Sequence, residues 1–398
     1  MRILHTSDWH IGRSLHNHIF DKEFELFVDW LIQTIEQYNV DILIIAGDIF
    51  DIAFPSTKAQ ELYFSALEKI AKSRLKHTFI ISGNHDSASF LEAPKNLLKY
   101  FNISITSKLP QNIDQLIHPI PPHDPQAVFI SVPYLRPIDI LNFKPSSQTL
   151  FNQQKNISDI YLELHKKTQN YLKLNIPVIA TGHLFVTNSF SDQDKIQLYS
   201  LGGLLDVPLQ NLKNLFSYLA LGHVHTPIDF KNSTVHYSGN PFPTNFSSSL
   251  PQKRIIIFDS QKPDNITSIP TPLPRHLPKF QGSIDEITSQ ISNFSNKGLL
   301  TPALAEVIIT QMPQNKTPEQ ILQLINALNS EQLKIINTII LPQNQKPSQN
   351  QTSIKPLQNL SELELFSMFI DELNPPDKQE LINTFKELVS LYQNSQNQ

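Results

Sequence analysis

Cysteine is absent from all 398 residues. That excludes a disulfide framework and any thiolate metal site, and it suits a reducing compartment, so the cytoplasm is the expected location. An excess of basic charge is also missing: net charge is -4 and the sequence pI about 6.4. If the chain binds nucleic acid, metals, a local patch or a partner must supply the positive field. No apolar run approaches the roughly 20 residues that a membrane span needs. The first residues lack the apolar core of a signal peptide and contain Asp8 and His10. Glycine is scarce at 10 and proline abundant at 29, a balance that favours loops with fixed turns. What remains is a globular composition, 40% hydrophobic, long enough for two or three domains and a sizeable core.

One stretch organises the rest. Ile42-Leu43-Ile44-Ile45-Ala46 reads as a buried parallel strand, and Gly47-Asp48-Ile49-Phe50-Asp51 follows it. In open α/β sheets ligands bind beyond the carboxyl ends of strands, which is where Asp48 would stand. The same grammar recurs four times. Met1–Thr6 leads to Asp8-Trp9-His10, and His77–Ile81 to Gly83-Asn84-His85-Asp86. Pro177–Thr181 leads to Gly182-His183, and Tyr218–Leu221 to Gly222-His223-Val224-His225. Folding alone does not require an Asp, Asn or His after each of these strands.

Elsewhere the pattern alternates helix and strand. Helices are expected over Asp21–Tyr38, with Asp21 as N-cap, from Pro55-Ser56-Thr57 onward, from the Asn84 loop through Leu98, and over about Asn152–Leu172. Pro110–Pro125 reads as loop, Ala127–Val132 as strand, and Thr234–Ser238 and Arg254–Phe258 as short strands. Pro263–Pro278 reads as a linker. Strand Ala303–Thr310, helix Pro318–Leu328 and strand Leu333–Leu341 form a small α+β module. Pro342–Leu357, rich in Gln, Asn, Ser and Pro, reads as a second, flexible linker. Two amphipathic helices around Leu365–Leu373 and Leu381–Tyr392 close the chain, either packed on their own domain or docked on a partner. The expected division is 1–262, 263–345 and 346–398.

The donor types suit a hard or borderline divalent cation, Mn²⁺ or Mg²⁺ ahead of structural Zn²⁺. Asp8 and His10 are alternate residues, which share one side of an extended chain, and so are His223 and His225. With Asp48 shared, one ion would take Asp8, His10, Asp48 and His225, and a second Asp48, Asn84, His183 and His223. Two ions about 3.5–4 Å apart activate water and neutralise phosphoryl oxygens. His85 is expected to stabilise the transition state or to protonate the leaving oxygen, with the Asp51 carboxylate holding its imidazolium. Asp86 is expected to be a helix cap. The remaining histidines, His5 and His236 among them, carry no expected role.

Taken together, Asp8-x-His10, Gly47-Asp48-x-x-Asp51, Gly83-Asn84-His85-Asp86, Gly182-His183 and Gly222-His223-x-His225 resemble the calcineurin-like metallophosphoesterase superfamily. The longer strings Met1–Gly12, Ala220–His225 and Tyr237-Ser238-Gly239-Asn240-Pro241 resemble the bacterial SbcD nuclease-subunit family within it. That resemblance implies a helix-flanked β-sandwich, an α+β capping domain and a C-terminal helical hairpin. It also implies a Mn²⁺-dependent DNA nuclease, exonucleolytic (3'-5') on double-strand ends and endonucleolytic on hairpins and single strands. Its partners would be DNA and an SbcC-type coiled-coil ATPase, with a homodimer inside a heterotetramer and the terminal helices on the base of the coiled coil. Asn240 stands where the family tends to carry Ser, and the capping region is poor in Lys and Arg. The competing readings are a small-molecule phosphodiesterase or phosphatase, and a non-catalytic DNA-end scaffold. The filled set of seven ligand positions argues against the scaffold.

Overall fold

The computed structural model describes residues 1–143, 157–187, 207–246, 252–296, 300, 302–311, 316–341, and residues 378, 381, 382, 384 and 385. Two units are distinct, residues 1–341 and 342–398. In the second, Leu381, Ile382, Thr384 and Phe385 are helical, within the second expected terminal helix, and Lys378, just before its expected start, is helical too. The first expected terminal helix and the 342–357 linker lie outside the described residues.

The first unit is built on two six-stranded sheets. The first contains β1 (Arg2–Thr6), β2 (Ile42–Ala46), β3 (His77–Ile81) and β4 (Ile103–Thr106), all parallel. The second contains β5 (Ile117–Ile120), β6 (Ala127–Ile130), β7 (Val178–His183), β8 (Tyr218–Gly222), β9 (Ile228–Asp229) and β10 (Val235–Tyr237), in the order β9-β10-β8-β7-β6-β5. Antiparallel β11 (Arg254–Asp259) and β12 (Lys262–Pro270) complete the first sheet, ordered β12-β11-β1-β2-β3-β4.

β2 shows why this becomes a sandwich. All five of its residues are buried. Ile42 and Ile44 join Ile3, Phe79, Phe129, Tyr218 and Phe258 between the sheets, while Leu43 and Ile45 face the helical side. Alternation places successive residues on opposite faces, so a strand covered on both must be apolar throughout. Rings stack across the gap: Phe79 on Phe129 at 4.7 Å and Tyr218 on Phe258 at 3.9 Å. Outside, α1 (Asp21–Gln37) and α2 (Thr57–Lys72) cover the first sheet with Phe24, Phe27, Leu31, Leu62 and Leu67. On the second sheet lies the helix Ile157–Lys173, through Ile160, Tyr161 and Leu164.

Several expectations change. Phe20, not Asp21, occupies the N-cap of α1, and Asp21 is its first helical residue. The helix expected after Asn84 is two short pieces, Ala88–Glu92 and Lys95–Leu98, broken by Ala93-Pro94. The Pro110–Pro125 loop contains a 3₁₀ turn, Ile113–Leu116, and β5. Pro263–Pro270 is not linker: it is edge strand β12, with its prolines toward the two ends, where a lost N–H is tolerated. Beyond it the connector is pinned, because buried Arg275 donates to buried Glu23 of α1 and to Pro302 O.

The α+β module has a parallel three-stranded sheet, β13 (Lys279–Gly282), β14 (Ala303–Ile309) and β15 (Leu333–Ile340). Its helices are Ile284–Ser292, which the sequence pattern did not reveal, and Pro318–Ala327, which it did. Among the described residues, no helix is long and apolar enough to cross a membrane.

Candidate metal centre

The strand ends that carry the recurrent motifs meet at one edge of the sandwich. Register aligns Thr6 with Ile45, Ala46 with Ile81, and Gly222 with His183. The loops after β1 and β2 are laced together: Asp8 N donates to Gly47 O, His10 N to Asp48 O and Ile11 N to Ile49 O, at 2.9–3.0 Å. Trp9 anchors the first loop from below, buried against Phe24 and Phe27 with Nε1 donating to Thr6 Oγ1. Asp8 and His10 flank it and turn into the site.

They do so differently from the expectation. Asp8 and His10 are not in extended chain; their φ values are 55° and 46°, and those of Asp48 and His223 are 48° and 97°. Left-handed backbone is costly for residues other than Gly, Asn and Asp, and it concentrates at functional sites. The loops also leave no space for larger residues. A Cβ on Gly83 would sit 2.1 Å from Asp48 Oδ1, and one on Gly47 would sit 2.3 Å from His183 Nδ1.

Three groups of potential ligands result among the described residues, with the ligand atoms of each within 4.8 Å of one another: Asp8–His10–His225, Asp48–His183–His223 and, sharing His10 with the first, His10–Asp51–His85. Asp48 Oδ2 lies between the first two, 3.6 Å from His10 Nε2 and 3.3 Å from His183 Nε2. Asn84 Oδ1 joins the second group, 3.1 Å from His183 Nε2 and 3.0 Å from His223 Nδ1. The seven predicted positions are therefore brought together.

The surroundings orient the donors. His183 Nδ1 donates to Ala46 O at 2.9 Å, which leaves Nε2 as the nitrogen that faces Asp48 and Asn84. Asp48 Oδ1 accepts from His85 N, Asp8 Oδ1 from His223 N, and Asp8 Oδ2 from Ser7 Oγ. Burial holds His223 and His225 down at about 3, aided by His183 and His10 respectively. Both are then neutral, the form that ligates. Burial also opposes charge on His183, but the adjacent Asp48 carboxylate lifts it to about 9. Asp48 is itself buried, yet His183 and His10 hold its carboxyl below the usual range.

The residues fit divalent ions. His10 Nε2 faces His225 Nε2 at 2.9 Å, and two imidazole nitrogens that close need a proton or a cation between them. The shared carboxylate, the amide oxygen and the imidazoles, with no thiolate, are the donor set for such a pair.

Two placements differ from the sequence reading, and a third residue gains a definite one. The Asp51 carboxylate does not hold His85. It pairs with Arg13 Nη1 at 3.0 Å and lies 3.2 Å from His10 Nδ1, while His85 Nδ1 donates to the Asp51 backbone carbonyl at 2.6 Å. The carboxylate has a stronger claimant in the guanidinium. Asp86 caps no helix; it accepts from Gly83 N, Ile49 N and Phe50 N and ties the Asp48 loop to the Asn84 loop, and Ser87 caps instead. The Asn240 amide points inward, donating to Phe242 O and accepting from buried Lys253. Ser7 adjoins the motif residue Asp8, a signal that could have found it. Lys253 has no such local signal. His5 bonds Tyr218 and Leu221 O between the sheets, and His236 pairs with Asp229.

Sandwich and site together define a class. The chain belongs to the calcineurin-like phosphoesterases, whose family model matches residues 1–227. Its similarity to individual proteins is narrower. The Escherichia coli (strain K12) protein named as the SbcD subunit of the nuclease SbcCD is 28% identical over 397 residues, 97% of each chain. Proteins of the same name from Rhodobacter capsulatus and Staphylococcus epidermidis are 30% and 26% identical, over 71% of each chain and over 75% of this chain and 76% of that one.

Proposed function

We propose that this chain is a metal-dependent DNA nuclease subunit, hydrolysing phosphodiesters at double-strand ends and hairpins together with an SbcC-type coiled-coil ATPase. The observation that carries the reading is Asp48 Oδ2 set between His10 and His183, with a further group of donors on each side. The likeness over 97% of the chain to a protein named as an SbcCD nuclease subunit supports the substrate and the partner.

Asp8, His10, Asp48 and His225 would hold one ion, and Asp48, Asn84, His183 and His223 the other, with Mn²⁺ first and Mg²⁺ second. When bound, such ions make water a better nucleophile and offset charge on the phosphoryl oxygens. The chain's own residues do the rest. His85, with Nδ1–H held by Asp51 O, offers Nε2 to the leaving oxygen as donor. The Asp51 carboxylate steadies His10 and Arg13. The division assigned is a nuclease body, an α+β cap and, at 346–398, a segment that docks on the ATPase; two copies would pair within the complex.

The test is His85→Ala in the full chain with Mn²⁺. Linear DNA should no longer be cut, while ion uptake stays at the wild-type level. Loss of uptake would make His85 a ligand instead. Wild-type protein that hydrolyses a cyclic nucleotide but leaves DNA intact would replace the nuclease reading with a small-molecule phosphodiesterase.

A further inference from the structure

Behind His225 the interior holds an ammonium group that no carboxylate pairs among the described residues. Lys253 is 7% exposed. Its Nζ donates to His225 O at 2.8 Å and to Asn240 Oδ1 at 2.5 Å. Taking an ammonium out of water is costly, and two neutral oxygens offset only part of that cost. A core that needed only filling would hold an apolar side chain here.

Both ends of the contact are fixed. Lys253 leads into β11, and its carbonyl accepts from Thr271 N at 3.0 Å. Asn240, 2% exposed, donates its side-chain amide to Phe242 O at 2.7 Å and its backbone N–H to His225 O at 3.3 Å. Gly239 closes the remaining side, since a Cβ there would lie 2.8 Å from His225 O. The His225 carbonyl is thus boxed in. Carbonyl and ring hang from one Cα, so pinning the carbonyl restricts where the ring can aim, here at His10 Nε2. The neighbouring Ser238 Oγ reaches Ser7 Oγ at 2.9 Å, and Ser7 holds Asp8. One loop therefore backs two members of the same ligand group. His183 is held from elsewhere, by Ala46 O.

We propose that Lys253, seated on Asn240, is a positioning residue for His225, and that it sets the divalent-ion affinity of the Asp8–His10–His225 group while leaving the Asp48–Asn84–His183–His223 group alone. The proposal rests on the two-ion reading of the site.

Calorimetric titration of the full-length chain with Mn²⁺ alone tests it. Wild type should show two uptake events. In Lys253→Met one event should weaken by about 10–100-fold, as for other residues that orient a ligand, and the second should be unchanged. Asn240→Ala should weaken the same event by a smaller factor, and the double variant should be no worse than Lys253→Met, because both act through one contact. Should Lys253→Met fail to fold, Asn240→Ala decides alone. Two unchanged events, or two weakened equally, would overturn the proposal. A wild-type chain that takes up no Mn²⁺ would instead sink the two-ion reading beneath it.

Discussion

The two sheets bring different chemistry to their common edge. Loops of the first sheet supply Asp8, Asp48 and Asn84, with His10; loops of the second supply only imidazoles, His183, His223 and His225. The first set is fixed within its own sheet, through the lacing of residues 8–11 to 47–49 and the grip of Asp86 on both neighbouring loops. The second set is partly oriented across the gap: His183 bonds Ala46 O, and His223 N bonds Asp8 Oδ1. The first sheet is thus the template. The second docks its imidazoles against a fixed negative charge, and strain in the left-handed Asp8, His10 and Asp48 is tolerated because so many bonds over-determine them.

Damage to the template should therefore cost most. Asp48→Asn removes the carboxylate whose Oδ2 lies between the two groups. Phosphodiester hydrolysis should fall by at least about 10³-fold, the upper range for losing one electrostatic group, with both Mn²⁺ uptake events weakened. Loss of a single event in calorimetry would show that Asp48 serves one group only.

His183 tests the docked side and has a pH signature. Its folded pKa of about 9 lies above the ordinary 6.5. A raised histidine stabilises the fold below pH 6.5, by about 3 kcal/mol at most, and that contribution is lost as pH rises through 9. With chelator present, the Tm gap between wild type and His183→Gln should be widest near pH 6 and narrow toward pH 9. Ion uptake should run the other way and strengthen over the same range, because the ligating form has given up its proton. A Tm gap that does not change with pH would mean that His183 is neutral throughout.

The smallest effect is expected at the edge of the template. Ser7→Ala removes one hydroxyl donated to Asp8. Stability in urea should drop by about 1–2 kcal/mol, with activity changed far less than in Asp48→Asn. A loss of activity comparable to that of Asp48→Asn would make Ser7 part of the chemistry.

Much of this is legible in the residue order. Strand, turn, then Asp, Asn or His is a local signal, and it picks out seven residues that do converge. That β2 is covered on both faces is readable because it is apolar throughout, whereas the sandwich was what the resemblance implied. The β12 strand is not: its apolar residues are few and prolines lie toward its ends, so pairing with β11, rather than its own pattern, makes it a strand. Nearness to Asp48 in the chain assigns Asp51 to the site and so to His85, but Arg13 competes for it from another loop. Asp86 looks like a cap because caps are local, whereas two of its three donors, Ile49 N and Phe50 N, lie on the Asp48 loop.

The order of residues determined which side chains are available and that each follows a strand, since backbone periodicity and turn chemistry act over a few positions. Only the tertiary structure decided which of them face each other, which carboxylate answers which cation, and that Lys253 stands behind His225. Those choices are made by contacts between distant segments, and they exist only once the two sheets have closed on one another.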